Sequence, residues 1–61
     1  NPKDAETKQF VAAMTGRLTD LAAAVSAAEN MPAGSRRAAH TAISDQLDCV
    51  DADLMARLGV L

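Results

Sequence analysis

The chain has 61 residues, a net charge of −2 and a hydrophobic content of 49%, nearly half of it alanine. A chain this short forms one small domain and buries only about 60% of the surface its unfolded form exposes, so its core is thin. The single cysteine excludes an internal disulfide framework and a Cys-rich zinc site, the mild acidity leaves no footprint for wrapping nucleic acid or an anionic membrane, and no uncharged run approaches the roughly 20 residues of a membrane span.

The composition reads as a soluble all-α protein. Asn1-Pro2-Lys3-Asp4 has the marks of a helix start: Asn as cap, Pro at the first helical position and an acid in the first turn. Val11, Met14, Leu18, Leu21, Val25 and Ala28 follow at alternating spacings of three and four. This heptad a/d stripe predicts a helix over 2–29 that packs along a shallow left-handed seam. Gly16 falls at position f, away from the stripe, where it costs about 1 kcal/mol of helix propensity.

A turn is predicted over 30–35. Pro32 disfavours helical geometry at Met31, Gly34 loosens the chain, and Ser35 can cap the next helix. A second helix over 36–58 is predicted from the stripe Ile43, Leu47, Val50, Leu54 and Leu58. Gly59 sits where a left-handed cap belongs, with Val60 folding back on Met55. So short a connection makes the helices antiparallel, a helical hairpin. Arg36 and Arg37 open the second helix, where the macrodipole disfavours cations. The hairpin would bring them beside Glu29, and a local ion pair is expected there rather than an anion site.

The far side of the first helix carries Ala12, Ala13, Ala22, Ala23, Ala24 and Ala27, so the stretch from Leu21 to Ala28 is apolar on every side. One neighbouring helix covers only part of such a circumference. The expected outcome is a partner: a second copy forming a homodimeric four-helix bundle, or a larger protein. The residues expected at that interface are Val11, Met14, Leu18, Leu21, Val25, Ile43, Leu47, Val50 and Leu54.

Few residues suggest chemistry. His40 lies at an a position with Ser44 one turn on, but no third orienting acid accompanies them, and a structural histidine is expected. Cys49 lies between Asp45 and Asp53, one turn to either side, and an inert thiol is expected. Asp45, Asp48, Asp51 and Asp53 spread around a helix instead of alternating in a loop, which does not suit a calcium site. No metal, cofactor or catalytic group is predicted. Lys3, Phe10 and Arg17 recur every seven residues along one g edge and form the best candidate for nucleic-acid contact, through phosphates and a stacked base. Acidic residues on the second helix oppose that use.

With that row and the stretches Ile43-Ser44-Asp45-Gln46-Leu47 and Asp53-Leu54, the chain resembles the plasmid-encoded repressor of primer family. The resemblance implies a hairpin that dimerises and binds paired RNA loops through a first-helix face corresponding to Lys3, Phe10 and Arg17. The segment from Leu47 to Val60 also looks like the terminal helix of small arginine-rich proteobacterial regulators, which implies an RNA-related role. The reading that the residues themselves carry is a non-enzymatic protein–protein interaction module, with a dimeric RNA-binding regulator as the alternative. A cytoplasmic rather than secreted protein is expected, and Asn1 in place of an initiating Met leaves processing or trimming open.

Overall fold

Asn1 caps the first helix as its position predicts: its side-chain Oδ1 accepts a hydrogen bond from the Lys3 N–H at 3.0 Å, and Pro2 occupies the first helical position. The computed structural model describes residues 1–60, which form two helices and no strand: α1 over Pro2–Glu29 and α2 over Ala33–Leu58. Two threonines inside α1 are satisfied locally. The hydroxyls of Thr7 and Thr19 donate to the Lys3 and Thr15 carbonyls one turn back.

The connection is shorter than the sequence suggests. Helix α2 starts at Ala33 instead of near residue 36, so Ser35 lies inside the first turn and does not cap it. Pro32 takes the cap position at φ −58° and ψ 155°, and its carbonyl accepts from the Arg36 N–H at 2.9 Å. Proline's fixed φ sets the direction of entry, and Ala33 and Gly34 need little propensity in a first turn anchored this way. The cost is a start with no side-chain cap and no acid. The far end agrees with expectation. Gly59 is left-handed at φ 72°, its N–H donates to the Ala56 carbonyl, and the Val60 N–H donates to the Met55 carbonyl at 3.0 Å.

The two helices lie antiparallel as a single layer. The Cα trace measures 49 × 21 × 8 Å, and its radius of gyration of 14.6 Å compares with about 10.5 Å for a compact 61-residue domain. Val50, 7% exposed, is the one buried apolar residue among those described. On α1 the half-buried residues are Phe10, Met14, Arg17, Leu21, Ala24 and Ala28. These are heptad positions g and d, so the seam is rotated from the predicted a/d stripe. The rotation shelters Phe10, the largest apolar side chain, and the small Ala24 allows close approach of α2. Neither helix is long and apolar enough to cross a membrane.

Candidate functional site

Along the seam, α1 and α2 match at three levels. At the open end, away from the turn, the Arg57 guanidinium lies 5.3 Å from the centre of the Phe10 ring, and its Nη2 donates to Thr7 Oγ1 at 3.1 Å. At mid-length Arg17 pairs with Asp53. Near the turn, Val25 and Ile43 share a pocket of about 210 Å³ with Ala28, Glu29, Arg36 and His40. The Arg17–Asp53 pair is largely exposed and contributes about 1 kcal/mol or less, as does the Arg57–Phe10 contact. Together these contacts set the register of the hairpin more than its stability.

Rotation of the seam leaves the a positions of both helices facing outward. Val25 and His40 meet in the pocket near the turn, which places their rows on the same side of the layer. Steps of seven residues carry the Val25 row to Leu18 and Val11, and the His40 row to Leu47 and Leu54. Val11, Leu18, Val25, Leu47 and Leu54 are 39–54% exposed, and Leu58 extends the strip at 67%. The result is an apolar face on a single layer of helices, about 21 Å long by the helical rise from Val11 to Val25, with no described residue packed above it. The opposite side holds a more polar cleft between Arg17, Asp20, Leu21, Gln46 and Val50.

The residues expected at an interface therefore fall into two groups. Met14, Leu21, Ile43 and Val50 join α1 to α2 within one chain, whereas Val11, Leu18, Val25, Leu47 and Leu54 form the open face. The row Lys3, Phe10 and Arg17 is not an open edge. Phe10 lies beneath Arg57 and Arg17 is held by Asp53, because position g belongs to the seam. Arg36 and Glu29 line the same pocket without pairing; Arg17–Asp53 is the one ion pair among the described residues. His40 is exposed at the pocket rim, and Cys49 is a free, exposed thiol. The four aspartates of α2 are exposed, and no group of three or more His, Cys, Asp or Glu converges among the described residues. The signal that could have placed the seam was the pair Arg17 and Asp53, opposite charges at facing positions of antiparallel helices.

A family model matches residues 1–61, that of the family of unknown function DUF6474. The chain belongs to this family. No curated protein and no solved structure gives a significant match. For this DUF6474 member the open apolar face is the feature with the clearest capacity for recognition. It is broad, repeats on both helices and is free of charged side chains along its centre.

Proposed function

We propose that the protein is a non-enzymatic protein–protein interaction module, an adaptor, inhibitor or small subunit, that acts by docking its open a-position face. The observation that carries this reading is the exposed strip from Val11 through Leu18 to Val25, alongside Leu47 and Leu54, on a hairpin with a single layer of helices. Stable domains bury such stripes against a second layer. A hairpin this small also has too little core of its own to hold firmly. Heptad spacing on both helices suits a helical partner crossing at a shallow angle. The alternative, an RNA-binding edge at Lys3, Phe10 and Arg17, is disfavoured because two of the three side chains are already engaged.

Replacing Leu18 and Leu47 together by Asp tests the reading, with Ala12→Asp on the exposed back of α1 as control. The double variant should lose assembled mass in light scattering, or helicity in circular dichroism, while the control keeps both. A double variant with the mass, helicity and melting temperature of the parent would refute a docking role for this face.

A further inference from the structure

We propose that the occupant of the open face is a second copy of this chain, laid across it so that the two turns lie at opposite ends of a four-helix bundle. This proposal rests on the interaction-module reading and names its partner.

Area gives the first argument. The hairpin exposes 4667 Å², whereas a compact protein of 6.3 kDa exposes about 3,700 Å². The excess, about 900 Å² per chain, is close to the roughly 800 Å² that each partner buries in a standard interface. A second copy is large enough to remove it in one contact.

The layout of the rows gives the second. A two-fold axis that reverses the direction of the helices requires rows symmetric about a common level. On α1, Val11 and Val25 flank Leu18 at equal distances; on α2, Leu47 and Leu54 flank a point beside Val50. The seam brings those two centres to the same height, since Leu21 and Val50 border one cleft and Arg17 pairs with Asp53. Rotation about that level sets Leu18 against Leu18, Val11 against Val25 and Leu47 against Leu54. It also lowers the partner's Val11 end over the pocket near the turn, whose apolar walls are Val25, Ala28 and Ile43 and whose rim carries Glu29, Arg36 and His40. The face is thus complementary to itself, as an isologous contact must be.

The test is carried out on the 61-residue chain with Cys49→Ser and Met31→Cys, spin-labelled in the turn. Sedimentation equilibrium is read together with helicity and with the distance between labels. A dimer with labels about 40 Å apart, twice the rise of the 13 residues from Leu18 to Met31, supports the proposal. A dimer with labels closer than about 20 Å overturns the opposed arrangement, because same-end turns are separated only by the distance between helix layers. A monomer with little helicity overturns the second copy as occupant and leaves the interaction-module reading standing with another partner. A monomer that keeps full helicity on dilution overturns both.

Discussion

Two neighbouring strips of α1 have similar composition and different surroundings. Phe10, Met14 and Leu21 are sheltered against α2, while Val11, Leu18 and Val25, a fraction of a turn away, face outward. The same division runs along α2, where Ile43 and Val50 turn inward and Leu47 and Leu54 outward. One helix covers about a third to a half of its neighbour, so an apolar arc wider than that needs a second contact. The seam therefore closes the hairpin and leaves the other apolar strip uncovered.

Substitutions that introduce the same charge on each side sharpen this contrast. Val50→Asp puts an unpaired carboxylate into the seam and should cost about 3 kcal/mol or more, comparable to the whole stability of so small a fold. Helicity should be lost at every concentration. Leu18→Asp should act through association instead, weakening it about a hundredfold or more, equivalent to about 2.8 kcal/mol. Concentrated Leu18→Asp protein should recover helicity and concentrated Val50→Asp protein should not; recovery in both would erase the distinction between the sides.

Smaller changes probe positions that belong to neither side or only to the register. A Cβ added at Gly16 would meet nothing within 4 Å, so Gly16→Ala should stabilise the fold by about 0.5–1 kcal/mol and raise the melting temperature by about 2–8 °C. A fall in melting temperature would mean that another chain approaches α1 at that point. Asp53→Asn removes the exposed pair with Arg17 and should cost about 1 kcal/mol or less. The difference from the parent should shrink toward zero in about 1 M salt, where screening is strong. A larger, salt-independent loss would mark the pair as part of the core.

Much of the architecture was legible in the residues. The cap at Asn1, the ends of both helices near Glu29 and Leu58, and the left-handed Gly59 all follow from local chemistry that acts within a few residues. The start of α2 was misread because Ser35 looks like a cap, while Pro32 fixes the chain direction three residues earlier. The rotation of the seam was not legible from periodicity. Positions a and g are both separated by seven residues, and the hydrophobic pattern favoured a. The choice was made by groups 36 and 47 residues apart in sequence, Arg17 with Asp53 and Phe10 with Arg57, which come together only once the helices are side by side. The candidate face was present among the expected interface residues but merged with the seam, since hydrophobicity alone does not separate an intrachain contact from an interchain one.

The most direct test of the account is the melting temperature of the parent chain followed by circular dichroism across a wide range of protein concentration. If covering the open face holds the helices together, the melting temperature rises with concentration, by mass action on the assembled state. A highly helical protein whose melting temperature is the same at every concentration would contradict the account, because the hairpin would then be stable with its apolar face in water.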